Sequence, residues 1–121
     1  MRFRFASDIT QQLQWIQDRE RPSEKIGIRS YASWPPVTAE DFCIVARSID
    51  PSTGQLVVLI SGLTYMSTSA AAQFASEPKF LNDFARVAPK DWARKNVEFL
   101  IASNRVDGGG GQPRLLAYTL W

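Results

Sequence analysis

An uninterrupted apolar run in the middle of the chain limits the folds that this sequence can adopt. Residues 56–61 read LVVLIS, with no polar side chain before Ser61. The run is rich in β-branched residues, which favours a strand, and it is too short to span a membrane. A strand that is apolar on both faces is typical of the interior of a layered sheet. The run therefore predicts a central, buried strand, and Gly62 permits a tight exit from it.

The residues that follow predict the start of a helix. Ser67, Thr68 and Ser69 all suit the N-cap position, because a hydroxyl oxygen there accepts a hydrogen bond from an otherwise unpaired amide. The alanines at 70–72 favour a helix and allow it to lie close to the sheet. Phe74 follows them at helical spacing, so we expect its ring to lie in the core.

The strand before the apolar run is predicted at residues 42–49, which read FCIVARSI. Residues 50–54 (DPSTG) are of the types that favour a turn between two strands. The two strands are therefore expected to form an antiparallel hairpin.

The amino-terminal part gives a less definite pattern. Residues 2–5 (RFRF) alternate in polarity, as in a half-buried strand. Residues 13–17 (LQWIQ) fit either a returning strand or part of a helix that starts near Ile9. The charged and proline-containing segment 18–36 predicts a surface loop, in which residues 26–31 pair briefly with a strand.

The carboxy-terminal part predicts a second helix and two strands. Pro78 suits the first position of a helix, and Pro89 would end it. Residues 97–106 and 114–121 have the composition of strands, and the glycine-rich residues 107–113 between them predict a flexible loop.

These elements indicate a single domain over residues 1–121 that contains both helices and strands. Two consecutive helices between pairs of strands favour an α/β fold, with α+β as the alternative. The expected architecture is one mixed β-sheet of about five to six strands with the two helices packed on it. If the strands at 56–61 and 97–106 are neighbours, the helical connection between them makes them parallel.

The composition argues against several activities. The formal net charge of +2 indicates neither a nucleic-acid surface nor a membrane surface. The chain has no histidine, which removes the commonest general base and the commonest metal ligand. Its one cysteine, Cys43, falls in an apolar strand and is expected in the core. The sequence thus favours a non-catalytic, cytoplasmic protein without a metal or cofactor, and with neither nucleic acid nor membrane as a partner.

The polar residues after the apolar run form the first candidate binding site. A helix N-terminus presents unpaired amides and the positive end of the helix dipole, so it can hold a carboxylate or a phosphate. The alternative is that these hydroxyls only cap the helix. The residues predicted to line the anion site, beside Ser61, are Gly62, Thr64, Tyr65, Ser67, Thr68 and Ser69.

The last strand forms the second candidate surface, because it is apolar on both faces. In a central position these side chains belong to the core, which the sequence favours. At the edge of a sheet they would pair with another subunit or domain. The residues of this surface are Leu115, Tyr118, Leu120 and Trp121.

A wider pattern links residues from most of the chain. It consists of IQDRERP at 16–22, DFCIV at 41–45, Thr53-Gly54, the Gly62 corner, Thr68 with Ala70, Ala71 and Phe74, Trp92, Lys95-Asn96 and Trp121. In this pattern the chain resembles an uncharacterised carboxy-terminal domain of bacterial multidomain regulatory and signalling proteins. The resemblance implies regulation or ligand sensing, and it implies that the chain is the carboxy-terminal portion of a larger unit.

Two functions are therefore expected. The first is a non-catalytic sensory or small-ligand-binding domain with its anion site at the strand-to-helix corner. The second is a protein-interaction or dimerisation module that uses the apolar carboxy-terminal strand.

Overall fold

The computed structural model describes residues 1–30, 40–106 and 109–121, which form an α+β fold. The elements follow in the order β1 (Phe3–Asp8), β2 (Leu13–Asp18), β3 (Arg21–Ser30), β4 (Glu40–Ile49), β5 (Leu56–Gly62), α1 (Tyr65–Ser76), α2 (Pro78–Val87), a short 3-10 helix (Trp92–Arg94), β6 (Val97–Val106) and β7 (Gly109–Leu120).

The strands form two antiparallel sheets that are stacked on each other. One sheet has the order β1-β2-β3, and the other has the order β5-β4-β6-β7. Successive side chains of a strand point to opposite faces, so β4 and β6 contribute to two separate cores. The core on the helix side includes Val45, Phe99 and Phe74 of α1. The core on the other side includes Ile44 and Leu100, which pack against the three-stranded sheet.

Several predictions from the sequence are confirmed. The α+β alternative describes the fold, and β4 and β5 form the antiparallel hairpin. In its turn, Asp50 Oδ1 accepts hydrogen bonds from the amides of Ser52 (2.7 Å) and Thr53 (3.3 Å). Phe74 is buried, and its ring contacts that of Phe99 at a centroid distance of 5.1 Å.

The prediction of one mixed sheet is wrong. The described strands number seven rather than five to six, and every pairing among them is antiparallel. β5 and β6 are not neighbours, because β4 lies between them and pairs with both. The helical connection therefore passes over one strand before the chain re-enters the sheet.

The prediction that residues 56–61 are buried is also wrong. β5 is the outermost strand of its sheet, and its first five residues are exposed on both faces. The reason is where the covering layers lie. α1 starts at the end of β5, but Phe74 near its other end lines a cavity with Leu115 of β7. The three-stranded sheet packs on Ile44, Leu100 and Ala117 of the strands β4, β6 and β7.

The structure also decides the amino-terminal alternatives. Residues 13–17 belong to a strand, β2, as one of the two interpretations held. The pairing predicted for residues 26–31 is confirmed over 26–30, which pair with β2. The loop predicted around it is wrong over residues 21–25, because β3 already begins at Arg21 and pairs with β2 across two register shifts. Residues 31–36 of that loop lie outside the described residues. In the loop predicted at 107–113, β7 already begins at Gly109, while 107 and 108 lie outside the described residues.

Candidate functional site

The residue that caps α1 is Thr64, so the prediction of a cap at Ser67, Thr68 or Ser69 is wrong. Thr64 Oγ1 accepts hydrogen bonds from the amides of Met66 (3.1 Å) and Ser67 (3.3 Å). In return, Ser67 Oγ accepts a hydrogen bond from the Thr64 amide at 3.0 Å. This reciprocal arrangement is a capping box in which serine takes the place of the usual glutamate or glutamine.

A carboxylate of the chain itself lies at this helix end. Asp41 of β4 is buried, and its side chain accepts hydrogen bonds from Thr64 Oγ1 and from the Phe42 amide. A negative charge at a helix N-terminus is stabilised by the helix dipole. Asp41 therefore supplies, from within the protein, the kind of group that the sequence predicted as an external ligand.

The rest of the corner is closely packed. Thr68 Oγ1 donates to the Thr64 carbonyl (2.9 Å) and accepts from the Gly62 amide (3.1 Å). A Cβ atom on Gly62 would lie 2.2 Å from Ser67 Oγ, so glycine is needed here for the close approach of strand and helix. The side chains of Tyr65 and Ser69 are exposed.

The structure thus brings Gly62, Thr64, Ser67 and Thr68 together in one internal hydrogen-bond network. It leaves Tyr65 and Ser69 on the outside of the helix. This geometry is what the capping interpretation expects of the hydroxyls. The anion site itself stays a prediction.

A continuous apolar surface lies on β5, beside this corner. The side chains from Leu56 to Ile60 are between 38 and 62% exposed, and none carries a charge. Together they present on the order of 400 Å² of apolar surface, a size that is often functional on a monomer. Sequence reasoning missed this surface, because the same run of residues was assigned to the core.

The backbone of β5 also has hydrogen-bonding groups on its outer side. At the two ends of the hairpin, Leu63 N donates to Phe42 O (3.1 Å) and Asp50 N donates to Gln55 O (2.8 Å). In an antiparallel pair, every second residue directs its N–H and C=O toward the partner strand. By this register, four residues of β5 direct their N–H and C=O away from β4: Leu56, Val58, Ile60 and Gly62. The Gly62 amide donates to Thr68 Oγ1, so the outward edge that concerns binding is formed by Leu56, Val58 and Ile60. None of the described strands pairs with this side of β5.

The opposite edge of the same sheet, β7, differs from β5. It contains Pro113 and Arg114, and its pairing with β6 has two register shifts. Proline, charge and bulges are features by which proteins protect an edge strand against pairing. The pairing of β5 with β4 is regular over all seven residues, and β5 contains no proline and no charge.

The side chains of the predicted carboxy-terminal surface divide between core and solvent. Leu115 and Leu120 pack against the helix-side core, and the Tyr118 ring lies 4.8 Å from that of Phe84. The Trp121 side chain is about half exposed, while its backbone N–H and C=O both bond to Asn96. β7 lies at an edge, but only part of the predicted surface is available there.

A small apolar cavity of about 100 Å³ lies behind β5. Its walls include Val58, Val45 of β4, Leu81 of α2 and Trp92 of the 3-10 helix. Arg47 also borders it, but the Arg47 Nη2 atom donates to the carbonyl oxygens of three residues at 2.9–3.2 Å: Trp92, Ala93 and Lys95. The cavity is therefore an extension of the apolar surface of β5 rather than a charged site.

The described residues give little support for catalysis. Burial raises the pKa of the Cys43 thiol to about 12, so it does not form the nucleophilic thiolate near neutral pH. The one Ser-x-x-Lys spacing, Ser76 and Lys79, joins the two helices on an exposed surface. No group of three or more potential metal-ligating side chains occurs in the described part of the chain. In the same residues, no helix is long and apolar enough to cross a membrane.

One buried ionisable group lies between the two sheets, and sequence reasoning missed it. Glu98 of β6 is fully buried, and its Oε1 atom accepts hydrogen bonds from the amides of Arg2 (2.7 Å) and Phe3 (3.0 Å). Burial raises the pKa of Glu98, although the two amide hydrogen bonds oppose the shift. Its position between a valine and a phenylalanine gave no sign of this contact, which joins β1 to the other sheet.

Comparisons with known protein families, with curated proteins and with solved structures found no match for this chain. The geometry of the described residues therefore carries the functional argument.

Proposed function

We propose that this protein is a non-catalytic interaction domain that binds an extended polypeptide strand along the outer edge of β5. The observation that carries the proposal is the five-residue apolar run, Leu56 to Ile60, exposed on an edge strand. A bound strand would satisfy the outward N–H and C=O groups and would cover the apolar side chains at the same time. This is the mode of recognition known as β-strand addition.

The cavity behind Val58 supports the same proposal. In strand addition, hydrogen bonds between the main chains provide affinity, and pockets for alternate side chains provide specificity. The cavity of about 100 Å³ adjoins the face of β5 that carries Val58. Its volume suits one apolar side chain of an added strand, since an apolar cavity of about 150 Å³ can hold benzene.

The two surfaces predicted from the sequence receive less support. At the strand-to-helix corner, Thr64 Oγ1 already serves two amides, and Asp41 occupies the helix end. At the carboxy-terminal strand, Leu115 and Leu120 contribute to the core. We therefore retain the interaction module of the sequence prediction and assign its surface to β5 instead of β7.

The experiment is a selection of displayed random heptapeptides on the wild-type protein and on two variants. Val58→Lys places a charge in the middle of the proposed surface. Leu116→Lys is the matched control, because Leu116 is also an exposed apolar residue of an edge strand of this sheet. Circular dichroism establishes that both variants are folded.

We expect the selected peptides to be rich in β-branched and apolar residues at alternate positions. They should bind the wild type and the L116K variant. Their affinity for V58K should be lower by about tenfold or more, because the substitution removes the contact with valine and places a charge on the edge strand. Peptides that bind V58K as well as they bind the wild type would overturn the proposal, as would a selection without enrichment on protein dilute enough to be monomeric.

A further inference from the structure

We infer that the strand that pairs with β5 is β5 of a second copy of this chain, related by a two-fold axis that passes beside Val58. This inference rests on the proposed function, because it names the partner that binds the same edge. It predicts a symmetric dimer in which the two four-stranded sheets join into one antiparallel sheet.

The positions of the outward backbone groups select this register. Leu56, Val58 and Ile60 direct their N–H and C=O away from β4, whereas the Gly62 amide already donates to Thr68 Oγ1 at 3.1 Å. With the axis at Val58, this residue faces its own copy, and Leu56 faces Ile60 of the other copy. Each outward N–H and C=O of these three residues then finds a partner. A shift of the axis by one residue leaves some of these groups unpaired.

The side chains are complementary in the same register. On the helix side, Val58 meets its copy and Leu56 meets Ile60. On the other face, Val57 meets Leu59. Every cross-strand pair is therefore apolar, and such pairs of branched side chains stabilise a sheet.

The lack of charge on β5 favours a second copy over a different protein. Electrostatic complementarity is the usual means by which an interface selects a partner and rejects others. Residues 56–62 contain no charged side chain, so β5 has no charge pattern to match with an unlike partner. A two-fold interface needs only a surface that complements itself, and the pairing described above meets that requirement.

The size of the apolar surface on β5 determines how strong the dimer is expected to be. A standard interface buries about 800 Å² on each partner. The exposed apolar area of β5 is on the order of half that value, and Ile49, the β4 residue opposite Leu56, adds a further exposed apolar side chain. The dimer is therefore expected to be concentration dependent, like other interfaces at the small end of the range.

The test uses two variants with opposite charge at the same position, V58K and V58E, and the control L116K. Sedimentation analysis over a range of concentrations measures the dimer dissociation constant of each protein. In this register the two copies of residue 58 face each other, so V58K alone and V58E alone place like charges opposite one another. Each variant also removes the apolar contact of two valines from the interface, so it should weaken the dimer by roughly 10- to 100-fold. L116K should leave the dimer unchanged.

Mixing V58K with V58E should restore the dimer, because opposite charges then face each other across the axis. A second measurement does not depend on these variants: in a mixture of labelled and unlabelled wild-type chains, the Hα atoms of Val57 and Leu59 from different copies should show an intermolecular nuclear Overhauser effect. These atoms are close in a non-hydrogen-bonded antiparallel pair.

Three results would overturn the inference: a wild-type chain that stays monomeric at high concentration, a dimer that V58K leaves intact, and a mixture of V58K and V58E that stays monomeric. A monomeric wild type that still selects heptapeptides through Val58 would refute the dimer and leave the proposed function standing. Peptide binding that is indifferent to V58K would refute the proposed function itself.

Discussion

Glu98 provides a test of how the two sheets are held together. Its Oε1 atom accepts hydrogen bonds from the amides of Arg2 and Phe3. Within the described part of the chain, its Oε2 atom is buried without a hydrogen-bond partner. Two substitutions separate the roles of the hydrogen bonds and the charge. Glu98→Ala removes the acceptor, and Glu98→Gln keeps one carbonyl oxygen in place but removes the charge.

The loss of stability expected for Glu98→Ala follows from the two amides that lose their hydrogen-bond acceptor. A buried donor left without an acceptor costs about 1–3 kcal/mol. The Phe3 amide is buried and the Arg2 amide partly buried, so we expect a loss of about 2–4 kcal/mol in the free energy of unfolding. Glu98→Gln should differ from the wild type by only about 1 kcal/mol near neutral pH, because it retains the acceptor.

The pH dependence gives a second, independent readout. Burial raises the pKa of Glu98, so the folded protein keeps this proton to a higher pH than the unfolded chain does. The folded state then binds more protons between the unfolded pKa, about 4.3, and the folded pKa. Stability from this group is fully present below the unfolded pKa and is lost as the pH rises through the folded pKa.

The assay is urea unfolding of the wild type and the E98Q variant at a series of pH values. Asp18 also makes stability depend on pH, because hydrogen bonds from Arg2 lower the pKa of its carboxyl group, and its contribution is lost as the pH falls. Both proteins contain Asp18, so its contribution cancels when the stability of E98Q is subtracted from that of the wild type. The wild type should gain stability relative to E98Q as the pH falls. If the difference in free energy of unfolding between the wild type and E98Q does not change with pH, the claim that burial raises the pKa of Glu98 is refuted. Equal stability of E98A and E98Q would refute the role of the hydrogen bonds from the two amides.

Three further substitutions or reagents test the corner and the core. Thr64→Ala should lower the free energy of unfolding, measured by urea denaturation, by about 1–2 kcal/mol. Thr64→Ser should lose much less, because serine keeps the capping hydroxyl; equal losses for the two variants would contradict the cap. Gly62→Ala should lower the free energy of unfolding by more than the roughly 1 kcal/mol that a typical point substitution costs, because the new Cβ would lie 2.2 Å from Ser67 Oγ. An unchanged melting temperature would contradict that packing. Cys43, with a pKa of about 12 and no exposure, should react with a thiol reagent only on unfolding, and rapid labelling of the folded protein would show that β4 is accessible.

The local structure could be predicted wherever a few adjacent residues determine it. The turn at residues 50–54 joins β4 and β5 because Asp50 binds two amides within three residues of itself. Phe74 could be placed in the core because its spacing from the alanines puts it on the same side of α1. The strand at 97–106 followed from its own composition.

The position of β5 could not be predicted in the same way. The run at 56–61 indicates a strand equally well at the centre and at the edge of a sheet. Its exposure depends on where other layers lie, and these are fixed by packing between distant parts of the chain, such as that of Leu115 of β7 against the core cluster that contains Phe74. Asp41 was missed as the partner of Thr64 for a similar reason, because 23 residues separate the two and only the fold brings them together.

Amide hydrogen exchange of β5, measured residue by residue at low and at high protein concentration, tests the central claim most directly. At low concentration, the amides of Val57 and Leu59 should be protected by β4, while those of Val58 and Ile60 should exchange rapidly. At high concentration, the Val58 and Ile60 amides should become protected as the second strand pairs with them. Protection of all four amides at low concentration, or rapid exchange of Val58 and Ile60 in an associated sample, would contradict the binding of a strand at this edge.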